Sequence, residues 1–288
     1  MGQIDKHKAR LVAKGYTQKY GIDYSEVFAP VARWETIRTV LALAASKGWC
    51  VYQLDVKSAF LHGDLTEDIY VEQPAGYLKG DSNNDILIVS IYVDDLIVTG
   101  NNQALINTFK QSMMNKFAMS DLGKMKYFLG VEVCQTDDGI FIHQMKYAYE
   151  ILTKFGMENC NAVSSPIVPG CKLVKNETGK ASDEKRYKQI VGSLMYLLAT
   201  RPDLAFSVCL VARFMDRPTK IHKAALKRIM RYVKGTIGYG VLYKKTSDEL
   251  QLSAWTDSDY AGDLDDRKST SGYLFMLGSG AISWSLFC

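Results

Sequence analysis

The chain has 288 residues, 47% of them apolar, 23% charged and 11% aromatic, with 35 Lys+Arg against 31 Asp+Glu. That composition fits a folded protein with a sizeable core and excludes a collagen, a disulfide mini-protein and a disordered polyelectrolyte. Its most apolar stretch, 86–98, is interrupted by Asp94 and Asp95, so no run reaches the roughly 20 apolar residues of a bilayer-spanning helix.

Charge is distributed unevenly. Residues 1–20 carry Lys6, Lys8, Arg10, Lys14 and Lys19 against Asp5, whereas residues 51–100 carry nine carboxylates against Lys57 and Lys79. Residues 213–245 hold ten Lys+Arg against Asp216. Two readings fit this pattern: a divalent-cation site beside surfaces that track a phosphate backbone, or an acidic loop between solvated helix faces. The six cysteines are too widely spaced for a C-x-x-C motif. With no apolar signal-type segment near Met1, they read as reduced thiols of a cytoplasmic or nuclear, non-secreted protein.

In chain order, Ile37, Val40, Leu41 and Ala44 recur at helical spacing over 35–47, and Gly48 supplies a stop. Residues 51–60 have strand character around Asp55. Residues 85–99 read as strand, tight turn, strand, with Tyr92-Val93-Asp94-Asp95 at the tip. A further hairpin is expected over 126–133 and 139–143, turning at Thr136-Asp137-Asp138-Gly139, then a helix over 147–155. Residues 163–185, rich in Pro, Gly and Ser, read as a long connection. Two helices should follow, the second with Leu226, Ile229, Met230 and Val233 on its apolar stripe and Lys223, Lys227, Arg228, Arg231 and Lys234 on other faces. Strands are expected from 250, over 272–277 and over 281–284.

Asp55, Asp94 and Asp95 stand out because carboxylates in an apolar hairpin are costly to bury without a partner. Oxygen-coordinated magnesium would supply one, and two such ions are the usual clamp for nucleotidyl transfer. The alternative is that Asp94-Asp95 only shapes a turn, which aspartate favours.

With these residues in view, the sequence resembles the reverse transcriptases of copia-type retrotransposon Pol polyproteins. Tyr92-Val93-Asp94-Asp95 matches the polymerase signature, 7–45 the fingers, 51–65 the first catalytic motif and 128–133 the primer-gripping hairpin. Residues 191–206 and 226–236 match the connecting helices, and 256–273 the opening of a ribonuclease H domain. The resemblance implies an α+β fold, a polymerase palm with partial fingers and thumb, followed by an incomplete ribonuclease H-like β unit. The implied divisions are 1–162 for fingers, palm and thumb, 163–249 for a helical connection and 250–288 for the ribonuclease H-like part.

The resemblance further implies that Asp55, Asp94 and Asp95 hold two Mg2+ ions, with Mn2+ as a substitute. Arg10, Phe60 and Tyr92 become substrate-binding residues: Arg10 on the triphosphate of a deoxynucleoside triphosphate, Phe60 under its sugar, although a core phenylalanine is the simpler reading. Phe128, Leu129 and Gly130 would position the primer of an RNA or DNA template-primer, and Asp257 would be the first ribonuclease H carboxylate. The sequence departs from the family between Asp55 and Asp94, where a nucleotide-positioning segment is missing near 77–84, and after Trp284, where only Ser-Leu-Phe-Cys follows. Polymerase activity is therefore expected to be impaired and ribonuclease H activity to be absent. A catalytically silent remnant that binds nucleic acid, and an unrelated metal-dependent nuclease, are the other readings.

Overall fold

A computed structural model describes residues 33–56, 85–175 and 179–287. They form a mixed α+β structure in which every strand pairing is antiparallel, as three sheets around helical packing.

Helix α1 (Trp34–Lys47) buries Ile37, Leu41, Ala44 and Ala45 and ends where Gly48 takes φ 67°. That left-handed conformation disfavours a Cβ, so glycine at this position ends the helix cleanly. The first sheet has the order β2-β3-β1-β4, with β1 Val51–Val56, β2 Leu87–Tyr92, β3 Asp95–Gly100 and β4 Met119–Lys124. Side chains alternate across it. Leu54, Leu96 and Val98 pack with Ile106 of helix α2 (Gln103–Lys116), which leaves Gln53, Asp55, Asp95 and Ile97 on the other face. Asn102 caps α2, its Oδ1 accepting from the Ala104 and Leu105 amides. On the same side Lys110 is buried, 2.6 Å from Asp121 and above the Tyr52 ring.

The second sheet runs β5-β6-β7-β8, with β5 Tyr127–Phe128, β6 Val131–Thr136, β7 Gly139–His143 and β8 Gly240–Lys244. The expected single strand over 126–133 is instead two strands, folded back at Leu129-Gly130. Gln135 of β6 stitches this sheet to the first: its Oε1 accepts from Val51 N, and its Nε2 donates to Val51 O and Met125 O, each at 2.9 Å.

Helix α3 (Met145–Lys154) follows. After the connection come α4 (Glu184–Leu197), α5 (Ala205–Ala212) and α6 (Lys220–Gly235), three helices where the sequence led us to expect two. The α4–α5 break falls at Arg201-Pro202, where proline opens a 3-10 turn and Arg201 is buried against Asp203 and Thr236. Ile151, Leu152, Val191, Leu194, Val208, Val211, Leu226, Ile229 and Val233 share one apolar core.

The third sheet has the order β11-β10-β9, with β9 Leu252–Ser258, β10 Ser271–Leu277 and β11 Gly280–Phe287. It is held to α1 by Arg38, whose Nε donates to Ile282 O at 2.7 Å and whose Nη1 donates to Ala199 O at 3.0 Å. The loop between β9 and β10 is largely exposed, Asp259, Asp265 and Asp266 included, with Asp263 the exception. Asp263 is buried and ion-paired with Arg213, while Asp259 Oδ1 accepts from the Gly262 and Thr270 amides. Cys50, Cys134, Cys160 and Cys171 are free thiols, but Cys209 is disulfide-bonded, contrary to the expectation of six reduced cysteines.

Candidate active site

β1 and β3 lie side by side with Asp55 directly opposite Asp95. Their shared register, with the β2–β3 turn immediately beyond, places Asp94 next to both. The turn has only Val93 and Asp94 between its strands, and Val93 takes φ 51°. A β-branched residue at positive φ is strained by about 1–3 kcal/mol, and such outliers cluster at functional sites. Val56 N donates to Asp94 O at 2.7 Å, which fixes the turn over the end of β1.

The carboxylates have distinct environments. Gln53 shares Asp55's face of β1, is buried, and its Nε2 donates to Asp95 Oδ1 at 2.9 Å. Burial pushes the Asp95 carboxyl above its ordinary pKa; the Gln53 hydrogen bond opposes this, and the charges of Asp55 and Asp94 add to it. Asp94 Oδ1 is buried and has no hydrogen-bond partner. The hairpin itself is half-buried rather than buried, with Ile91 69% exposed. The cost that singles out this site therefore lies on one oxygen and on three crowded charges, not on the hairpin as a whole.

An orphaned carboxylate oxygen beside two more carboxylates fits an oxygen-seeking divalent cation in donor chemistry. Among the described residues, no three His, Cys, Asp or Glu side chains form a closed metal-ligand cluster. The donors thus share a strand end without converging on one point.

Tyr92, the last residue of β2, stands opposite Asp95 and is half-buried. Phe128, Leu129 and Gly130 form the end of β5 and its turn: Phe128 is buried, its ring edge-on to Trp34 at 6.4 Å between centroids. Leu129 and Gly130 take φ 45° and 78°, the paired left-handed conformations of a tight two-residue hairpin. Asp257 lies in another sheet, near the end of exposed β9, with Oδ1 accepting from Ser258 N. Arg10 and Phe60 lie outside the described residues. Of the basic residues of α6, Arg228 donates to Ser165 Oγ of the connection and Arg231 to Asn161 O just before it.

Sequence reading missed two supporting residues. Gln53 carried a faint signal, since strand alternation puts it on Asp55's face. Tyr196 of α4 carried none: its hydroxyl donates to Leu129 O at 2.6 Å across 67 positions of sequence.

An antiparallel sheet thus presents Asp55 against Asp95 beside the strained Val93-Asp94 turn. Residues 2–84 and 76–169 match the family described as reverse transcriptase (RNA-dependent DNA polymerase). The chain belongs to that family. It is 36% identical to the retrovirus-related Pol polyprotein from transposon RE1 of Arabidopsis thaliana, over 332 aligned positions that cover 99% of this chain and 23% of the relative. Against the corresponding polyprotein from transposon TNT 1-94 of Nicotiana tabacum it is 38% identical, with 98% and 26% covered. An uncharacterized mitochondrial protein of A. thaliana is 41% identical, with 68% and 80% covered. The chain therefore spans about a quarter of the length of the polyproteins that it matches.

Proposed function

We propose that this chain is the RNA-directed DNA polymerase portion of a copia-type Pol polyprotein, built to transfer a deoxynucleotide onto a primer 3′-hydroxyl. The observation that carries the reading is Asp55 in register with Asp95 beneath the Val93-Asp94 turn, with Asp94 Oδ1 buried and unpartnered. In this reading Asp55, Asp94 and Asp95 are the carboxylates of the metal site, and Gln53 holds Asp95 by one oxygen. When bound, a pair of magnesium ions, or manganese in their place, supplies activation of the 3′-hydroxyl and charge neutralisation on the triphosphate. Phe128 anchors the β5–β6 turn so that Leu129 and Gly130 present backbone to the primer. Arg10 would grip the triphosphate through its guanidinium fork, Phe60 would exclude a ribose 2′-hydroxyl, and Tyr92 would flank the nucleotide. The partners are an RNA or DNA template-primer and deoxynucleoside triphosphates. Among the described residues no helix is long and apolar enough to cross a membrane.

The palm in this scheme is the first sheet with α2, the connection is α4–α6, and the third sheet is the ribonuclease H-like unit, with Asp257 as its first carboxylate. A second reading, a catalytically silent remnant that still binds nucleic acid, has specific support. The alignment to the RE1 polyprotein extends over 332 positions although this chain has 288. The two family-matching stretches also overlap at 76–84, where the sequence lacks the nucleotide-positioning segment. Losing such positioning is worth roughly 7–11 kcal/mol of barrier at the extreme.

Primer extension on a recessed RNA–DNA template decides between the two. Weak, metal-dependent extension that Asp94→Asn abolishes is the expected result. Salt-dependent binding with no extension above the Asp94→Asn background establishes the remnant instead.

A further inference from the structure

We propose that Tyr196 is a positioning residue for the primer terminus, clamping the Leu129–Gly130 turn from helix α4; the inference rests on the reading that this turn contacts the primer. The turn is a structure in need of a clamp. Both central residues are in the left-handed region, and leucine, unlike glycine, adopts it at a cost. Nothing in a two-residue hairpin of this short β5 compensates: β5 contributes only Tyr127 and Phe128, paired with Glu132 and Val131.

Two contacts hold the turn from opposite sides. Phe128 is buried beneath it against Trp34. From α4, the Tyr196 hydroxyl donates to Leu129 O at 2.6 Å, a short bond to the very carbonyl that the turn displays. The same hydroxyl occupies the space a Cβ on Gly130 would need, so glycine here serves both the positive φ and the close approach of the tyrosine.

Tyr196 is itself held in place. Its ring sits edge-on to Tyr147 of α3 at 4.8 Å between centroids, Gln144 Nε2 donates to its carbonyl at 3.2 Å, and Thr200 donates to Gln144 Oε1 at 3.0 Å. Burial, with Tyr127 and Tyr147 adding, pushes its phenol up, so the hydroxyl stays a donor. Beside the turn Tyr127, Gly130, Lys146, Tyr147, Glu150 and Tyr196 line a cleft of about 520 Å³. Tyrosine faces with an adjacent lysine suit the base and phosphate of a strand. The arrangement links α4 to the part of the molecule that would hold the primer end, through one hydroxyl.

The test uses the whole 288-residue chain and Tyr196→Phe, which keeps the ring and removes only the oxygen. Hydrogen exchange reads the amides of residues 127–133, and anisotropy compares a recessed-3′-end RNA–DNA duplex with a blunt duplex of the same sequence. The expected result is faster exchange at the turn, with affinity for the recessed end down about three- to tenfold, the range of one hydrogen bond, and blunt-duplex affinity unchanged. Equal losses on both duplexes would mean general destabilisation and would overturn the positioning role. Unchanged exchange, or a wild-type preference for the recessed end that Tyr196→Phe retains, overturns the clamp while leaving the polymerase reading intact. A wild-type chain with no preference for the recessed end refutes the primer role of the turn, and the role of Tyr196 with it, even if exchange at the turn responds.

Discussion

Arg38 is a residue whose loss the structure makes expensive. It sits on α1 at 3% exposure, donates to Ile282 O and Ala199 O, and lies 3.8 Å from the Trp284 ring centroid. Its nearest carboxylate, Glu35, is 3.7 Å away and 54% exposed, so the guanidinium is served by carbonyls and an aromatic face rather than by a buried counter-ion. Arg38→Ala strips a charged donor from two carbonyls, at about 1.5–3 kcal/mol per bond, and removes a desolvated cation–π contact of about 2 kcal/mol. Against this stands the relief of no longer burying the cation, the same penalty that pushes the Arg38 pKa down. The net expectation, those losses less that relief, is about 3–5 kcal/mol, a large share of a typical stability of about 5–15 kcal/mol. Arg38→Lys, which keeps the charge but loses the fork, should recover about half of it. Glu35→Gln should cost at most about 0.5 kcal/mol, as an exposed pair does. Urea unfolding followed by tryptophan fluorescence measures all three, with Trp284 reporting directly on the contact. A cost below about 1 kcal/mol for Arg38→Ala, or a Glu35→Gln effect of equal size, would refute the reasoning.

Three further expectations concern the site and the helical core. The Asp95 pKa is raised above 3.8 by burial and by Asp55 and Asp94, against the Gln53 bond; its contribution to stability is present below that value and is lost as pH rises through the folded pKa. Asp95→Asn should therefore be more stable than wild type at pH 7 and equal to it near pH 3 in thermal melts; a less stable variant at pH 7 would contradict the crowding argument. Val93→Gly should raise the unfolding free energy by about 1 kcal/mol, because relief of the φ strain exceeds the added entropy of the unfolded chain, and a destabilised variant would show the turn to be unstrained. His222 is buried, its Nδ1 accepting from Thr219 N and its Nε2 donating to Val174 O, with the ring stacked 4.0 Å from Phe214. Burial lowers its pKa from 6.5, opposed by the Val174 bond and Asp265, so stability present above 6.5 is lost as pH falls through the folded value. His222→Asn should flatten that acid limb in unfolding titrations, and parallel wild-type and variant curves would refute it.

What was legible in the sequence was local. Ile37, Leu41 and Ala44 with Gly48 define α1 without any knowledge of its surroundings, and short apolar, β-branched runs on both sides of Tyr92-Val93-Asp94-Asp95 define the hairpin. The tract 126–133 was misread because leucine at 129 is a poor turn signal, its conformation being enforced from α4. The 205–212 helix escaped because Ala205, Val208, Leu210 and Val211 are buried around most of its circumference, leaving no polar face to mark a period. The burial of Asp263 leaves no local trace in the sequence because its partner, Arg213, lies 50 positions away. The same limit applies to the site. The three carboxylates announce themselves by motif, whereas Gln53 and Tyr196 acquire meaning only when a strand or helix distant in sequence arrives beside them.

Gln135 has a mechanical consequence. Its amide takes both hydrogen-bonding groups of Val51, as a neighbouring peptide would, so the strand carrying Asp55 and the strand that follows the Leu129–Gly130 turn are indexed to one another. Slippage of either strand by one residue would break every one of those bonds at once. The span from the carboxylates to the turn is thereby graduated in whole residues, like a toothed rack.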